Sequence, residues 1–134
     1  MRDIETTNEL SPLYKRIYTL VELIPPAQVA TYGQIAEMVT CSPRVVGYAM
    51  AAVPEHLNLP WHRVINSQGK VSVRSDGAPS TDQRQLLQDE GVAFDKRGRV
   101  NFDEAAWHGP EWDWLQANDY NVAPPAGYKR SQRA

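Results

Sequence analysis

The stretch Val29-Ala30-Thr31-Tyr32-Gly33-Gln34-Ile35-Ala36-Glu37-Met38-Val39-Thr40-Cys41-Ser42-Pro43-Arg44-Val45-Val46-Gly47-Tyr48-Ala49-Met50 decides the fold. Thr31 followed three residues later by Gln34 is a capping box, in which each side chain takes an orphan amide at the start of a helix. It predicts a helix from Tyr32 to about Val39. Ser42-Pro43 repeats the start signal, with a capping hydroxyl and a proline where the missing N–H is no loss. A second helix is predicted from Pro43 to about Val53, with Val46, Ala49, Met50 and Val53 on its buried face. Arg44, Tyr48 and Ala51 fall on a different face, and Thr40-Cys41 is a tight turn. Two short helices joined in this way, the second opening on an arginine, form a helix-turn-helix pattern. By itself the pattern fits a DNA reader or a plain structural hairpin.

Upstream, Ser11-Pro12 starts another helix, with Tyr14, Ile17, Val21 and Ile24 at helical spacing and Pro25-Pro26 as its stop. Gln28-Val29-Ala30 is a short extended piece. Downstream, Glu55 to Pro60 is irregular and leads into Trp61-His62. Arg63-Val64-Ile65-Asn66 and Lys70-Val71-Ser72-Val73-Arg74 flank Ser67-Gln68-Gly69, which predicts a β-hairpin that would serve as a wing. Asp76 to Pro79 is loop, and Ser80 caps a helix carrying Leu86 and Leu87 that ends on Gly91. Val92-Ala93-Phe94 and Arg99 to Phe102 suggest a second small hairpin. The expected fold is mainly α with small β-hairpins, a winged helix-turn-helix. Residues 1–10 are expected to be a flexible N-terminus, 11–119 a single domain and 120–134 a flexible tail.

A chain of 134 residues is the length of one domain. No apolar run approaches the ~20 residues of a membrane span, and the start lacks a secretory core. One cysteine, Cys41, cannot form an internal disulfide; with no signal peptide, the expectation is a cytoplasmic protein, nucleoid-associated if bacterial. One Cys and three scattered His leave no visible metal cluster, and no cofactor is implied. The net charge of −2 hides an uneven distribution: from Ser42 to Arg74, Arg44, Arg63, Lys70 and Arg74 stand against Glu55 alone. A basic stripe in an acidic whole fits a DNA binder, although charge alone does not separate that from scatter. The stretch Asp103 to Asp119 has five acids, no Lys or Arg, and Trp107, Trp112 and Trp114.

Four blocks, in order and in register across roughly Leu13 to Val92, resemble the DNA-binding domain of the O6-alkylguanine-DNA alkyltransferases. They are Val29 to Ala36, Ser42 to Met50, Pro60-Trp61-His62-Arg63-Val64-Ile65, and Leu86 to Val92. The alkyltransferases read Pro-Cys-His-Arg in the third block, and the cysteine accepts the alkyl group. Pro-Trp-His-Arg resembles instead the alkyltransferase-like proteins, which bind alkylated DNA without transferring the group. The chemistry agrees independently: dealkylation needs an activated thiolate, and indole has no free lone pair for the attack.

The resemblance implies a set of site residues. Arg44 enters the duplex from the recognition helix and takes the space of a flipped O6-alkylguanine. An arginine there without a task is the weaker reading, because the positive end of the helix dipole disfavours a cation. Tyr32 crowds the phosphate beside the flipped nucleotide. Gly47, in mid-helix, reads either as close approach to the DNA backbone or as close helix packing. Trp61 follows Pro60 as one wall of the pocket, Val64 and Ser75 line it, and Arg74 places a cation over the base. His62 and Glu90 match residues that activate the thiol in the alkyltransferases, and are expected here to be vestigial, holding the pocket together. The partners implied are double-stranded DNA carrying O6-alkylguanine and the nucleotide excision repair proteins, with no membrane and a monomeric protein.

Two other functions compete. A winged-helix transcription regulator reading undamaged DNA would need base-edge readers along its helix, where Val, Gly, Ala and Tyr stand. An enzyme using His62 and Glu90 on another substrate would lack both nucleophile and metal.

Overall fold

The computed structural model describes residues 11–71 and 81–120. Helix α1 (Pro12–Glu22) starts where Ser11 Oγ accepts the Tyr14 amide at 3.1 Å. Ile17, Tyr18, Leu20 and Val21 are buried on one side of it. Ile24, expected as its last periodic residue, is buried just beyond the helix end.

Strand β1 (Ala30–Thr31) leads directly into α2 (Tyr32–Val39) through the expected capping box: Thr31 Oγ1 accepts the Gln34 amide and Gln34 Oε1 the Thr31 amide. The turn after α2 is tight because Thr40 takes a left-handed conformation, φ 62°. This β-branched residue costs about 1 kcal/mol more there than a glycine would. Ser42 then caps α3 (Pro43–Ala51), which stops two residues short of Val53 and buries Val46, Ala49 and Met50. The Tyr18 hydroxyl donates to the Ala49 carbonyl at 2.8 Å and fixes α1 against the end of α3. Helices α1, α2 and α3 pack mutually around the larger of two apolar clusters.

Strand β2 (Val64–Ile65) has a partner that the sequence did not announce. Its ladder partner is β1, in parallel, with Ala30 opposite Val64 and Thr31 opposite Ile65. Both β2 residues are fully buried, so the pair reads as an interior strand and not as one alternating side of an exposed hairpin. The hairpin survives in its turn: the Asn66 amide donates to the Lys70 carbonyl at 3.1 Å, and Asn66 Oδ1 accepts the Gln68 and Lys70 amides. Its second arm beyond Val71, the loop at Asp76 to Pro79 and the Ser80 cap lie outside the described residues.

Helix α4 (Thr81–Asp89) ends as expected on Gly91, φ 100°. The Val92 amide returns to the Leu87 carbonyl and the Gly91 amide to Gln88, the paired bonds of a Schellman motif. The second hairpin shrinks to one bridge, Phe94 with Val100, around the Asp95–Arg99 turn. The Val100 amide bonds the Gly69 carbonyl instead of extending a ladder. Asn101 then caps α5 (Phe102–Ala105), so Phe102 opens a helix and not a strand.

Segment 105–107 brackets Val29 on its other side, through Val29 amide to Ala105 carbonyl and Trp107 amide to Val29 carbonyl, both 2.8 Å. After α6 (Trp112–Ala117), Tyr120 is buried, stacks on Trp114 and donates its hydroxyl to the Arg16 carbonyl. The packed unit therefore reaches one residue past the boundary expected at Asp119. Residues 1–10 and 121–134 lie outside the described residues. No described helix is long and apolar enough to cross a membrane.

Candidate nucleic-acid interface

Helix α3 divides cleanly. Val46, Ala49 and Met50 face the core, while Arg44, Gly47, Tyr48 and Ala51, at i, i+3, i+4 and i+7, form an outward stripe. Arg44 is exposed and makes no ion pair or hydrogen bond among the described residues. Gly47 resolves one of the alternatives left by its sequence: a Cβ built there meets nothing within 4 Å. Packing inside the protein therefore does not require a glycine, although the helix sacrifices about 1 kcal/mol against alanine. Tyr48 is 57% exposed, the largest outlying aromatic surface on the helix. It was absent from the residues singled out by sequence, and the signal for it was its position beside Arg44 on the unburied face. Tyr32 stands at the start of α2, half-buried against the core.

The turn carrying Trp61 is built tightly. Pro60 takes φ −79° and ψ 60°, the geometry of an inverse γ-turn, with the Trp61 amide 2.8 Å from the Leu59 carbonyl. A single 3-10 turn, Trp61–Arg63, then feeds into β2. Trp61 is half-buried, one side packed on the main core, with its ring edge-on to His62 at 6.1 Å and 86°. Val64 departs from its expected place: it has no exposed surface, so it backs the turn from within the core and cannot line a pocket. It also sits in the parallel ladder, which turns the side chain inward. Arg74 and Ser75 lie outside the described residues.

Behind Trp61 lies a charged hub centred on Glu90. His62 Nε2 meets Glu90 Oε2 at 2.8 Å, and the Arg63 guanidinium grips the same carboxylate through Nε at 3.1 Å and Nη2 at 2.6 Å. The Ala27 amide donates to Glu90 Oε1 at 3.0 Å, and Arg63 Nη1 donates to the Ile24 carbonyl at 2.7 Å. Burial alone would raise the Glu90 pKa. The hydrogen bonds from Arg63, His62 and Ala27 overcome it and pull the carboxyl down to about 2. Glu90 is thus an anion at neutral pH and only accepts, so the proton in its bond with His62 resides on Nε2. It also occupies the C-terminal end of α4, where the helix dipole disfavours an anion, and Arg63 supplies the offsetting charge.

Gln83, fully buried on α4, donates through Nε2 to the carbonyls of His62 (3.1 Å) and Val64 (2.8 Å). The hub role of Arg63 and the buried Gln83 were both missed by sequence reasoning. The only cue for Gln83 was a polar residue four positions before Leu87, on that helix's buried side.

The hub's contacts are those of a clamp. Every short contact of the Glu90 carboxylate is with a donor that the fold supplies. Cys41 packs beside the main core with its Sγ donating to the Ser42 carbonyl at 3.4 Å, and burial pushes its thiol pKa up, away from the thiolate. Among the described residues no group of three His, Cys, Asp or Glu side chains could hold a metal ion.

Residues 12–92 match the family described as 6-O-methylguanine DNA methyltransferase, DNA binding domain. The chain is 36% identical over 107 residues to alkyltransferase-like protein 1 of Schizosaccharomyces pombe, covering 78% of this chain and 96% of that one. It is 38% identical over 94 residues to a DNA base-flipping protein of Vibrio parahaemolyticus, covering 69% and 92%. Among solved structures, S. pombe Atl1 in complex with damaged DNA containing O6-carboxymethylguanine superposes with a TM-score of 0.62 at 38% identity. That match covers 71% of this chain and 94% of the other.

Proposed function

The chain belongs to the alkyltransferase-like family, built on the 6-O-methylguanine DNA methyltransferase DNA-binding domain, and from that premise we propose that it captures O6-alkylguanine in DNA without repairing it. The observation that carries this reading is the pairing of an outward stripe, Arg44, Gly47 and Tyr48, with a Trp61 turn behind which, among the described residues, no activated nucleophile stands. Rotating a base out of the stack costs a few kcal/mol. Arg44 offsets this by filling the vacated space with a planar, permanently charged group able to bond the orphaned partner base. Gly47 lets the DNA backbone approach α3 closely, since no side chain projects there. Tyr32 crowds the phosphate next to the flipped nucleotide; Arg74, which supplies a cation for the base, and Ser75, a pocket-lining residue, lie outside the described residues.

Trp61 then takes the place of the acceptor cysteine. Its apolar face accepts alkyl groups of more than one size, and its indole cannot take the group. His62 and Glu90, saturated by Arg63 and Ala27, keep the wall in position. A protein that captures a lesion without chemistry marks it for another machine, and nucleotide excision repair is the system the family resemblance implies. The protein acts as a monomer in the cytoplasm.

The test is binding to a duplex with one O6-methylguanine and to its undamaged twin at fixed salt, followed by the intact mass of the protein. Preference for the damaged duplex with unchanged protein mass supports the reading. Equal affinity for the two duplexes, or a methylated protein, overturns it.

A further inference from the structure

A second concentration of positive charge lies on elements other than α3. A notch of about 380 Å³ opens between the turn at Asn66–Lys70, helix α4 and the turn at Asp95–Arg99. Lys70, Arg84, Lys96 and Arg97 line it, and among the described residues no carboxylate does. Among the described residues none of these four is ion-paired, the ion pairs there being those of Glu90 with His62 and Arg63. Four like charges gathered around one depression repel one another, and Asp95 beside Arg97 offsets them only in part, in a chain whose net charge is −2.

The loops that carry these cations are braced by their own hydrogen bonds. Asn66 Oδ1 takes the amides of Gln68 and Lys70 and closes the first turn. Asp95 Oδ1 takes the amides of Arg97 and Arg99 at 2.8 and 2.9 Å, and Gly98 completes that turn at φ 78°. The Asp95 carboxylate on this turn thus holds its own backbone, while it also attracts the Arg97 and Arg99 side chains. Those amide bonds lower the Asp95 pKa, with Arg99 the leading donor, so the turn stays braced. Arg84 rests over the Phe94 ring, 4.8 Å from its centre, which keeps the guanidinium at the notch.

We propose that this notch binds phosphodiester oxygens of the DNA strand flanking the captured lesion, as a second backbone contact independent of base flipping. The proposal rests on the DNA-binding reading above. Its chemistry is that of phosphate: several cations, no described carboxylate in the lining, and a braced framework. Arg84, Lys96 and Arg97 are exposed, so the notch suits a backbone passing across it better than a small anion enclosed within it. Its position fits as well. Gln83 of α4 holds the His62 and Val64 carbonyls, and the next residue, Arg84, lines the notch; Asn66 follows β2 immediately. The notch and the Trp61 turn thus share one helix and one strand, which holds them at a fixed separation.

The experiment compares the full chain with Lys96→Gln/Arg97→Gln and with Lys15→Gln on α1, titrating damaged and undamaged duplexes from 50 to about 300 mM salt, a range over which phosphate contacts dominate the salt dependence. In the double variant both duplexes are expected to lose affinity by the same factor, leaving their ratio unchanged. The slope of log K against log salt should become shallower by about 0.9 for each phosphate that is no longer neutralised. Lys15→Gln should leave the slope alone. An unchanged slope in the double variant overturns the proposal, as does an equal change from Lys15→Gln or a weakening confined to the damaged duplex. A third arm titrates inorganic phosphate at constant ionic strength, following the Gly98 amide by NMR. Saturable phosphate binding that the double variant abolishes, with an unaltered DNA slope, assigns the notch to a free anion and also overturns it. Failure of the lesion-capture reading would look different: the wild type would bind both duplexes equally.

Discussion

Replacing Glu90 by glutamine should destabilise the protein in a pH-dependent way that reports the hub directly. The carboxyl falls from an ordinary 4.5 to about 2 in the folded state, against its own burial and because of Arg63, His62 and the Ala27 amide. A depressed folded pKa adds stability that is complete above the unfolded value, near pH 5 and higher, and that disappears as pH falls through 2. Two and a half units correspond to about 3 kcal/mol at neutral pH, of which roughly 1.5 remains at pH 3 and under about 0.5 at pH 2. Glu90→Gln also turns an amide N–H₂ towards the donors of Arg63 or forfeits one of its bonds. The full loss at pH 7 is therefore about 3–4 kcal/mol, in the range seen when one partner of a largely buried pair is removed. Urea unfolding of both proteins at pH 7, 5, 4 and 3 checks this, and the difference between them cancels the other carboxylates. A gap that is the same at pH 7 and pH 3 would refute the hub, whatever its size.

Arg44→Ala should weaken binding to the damaged duplex at least tenfold, in line with losing a charged, bidentate-capable contact. Its melting temperature should stay within a degree or two, because Arg44 is exposed and contacts no described partner. Gly47→Ala should move the two properties in opposite directions: stability rises by up to about 1 kcal/mol, since the new methyl meets nothing, while DNA affinity falls. Thermal unfolding and fluorescence anisotropy on one preparation decide it, and an unaltered affinity would mean that the DNA does not approach α3 closely at Gly47. Gln83→Leu strips the donor from the buried Val64 carbonyl and the part-buried His62 carbonyl and should cost about 2–3 kcal/mol in chemical denaturation. Stability within about 0.5 kcal/mol of wild type would show that water replaces the amide.

The helix starts were legible in the sequence because their causes are local. Ser11-Pro12, Thr31 with Gln34, and Ser42-Pro43 each make their bonds within three residues. No distant partner is needed to see them. Glycine at the end of α4 belongs with these, since only a backbone free to take positive φ closes that helix cheaply. The outward face of α3 followed from periodicity, while the roles given to Arg44, Trp61 and its neighbours came from the family resemblance of four sequence blocks.

Tertiary structure decided the rest, wherever residues far apart in sequence had to meet. Thirty-four positions separate Ala30 from Val64, and nothing local says that β2 pairs in parallel with β1. The pairing follows from the burial of Val64 and Ile65 on both faces, which also removes Val64 from the pocket wall. Glu90 becomes a clamp only where Ile24, Ala27, His62 and Arg63 converge on one point. The basic notch likewise draws Lys70, Arg84, Lys96 and Arg97 from three separate elements. Gly47 shows the boundary most clearly: its sequence offered two explanations, and only the empty space around it in the fold removed one. Local hydrogen bonds write the elements into the sequence, while the sites depend on which elements come to rest against each other.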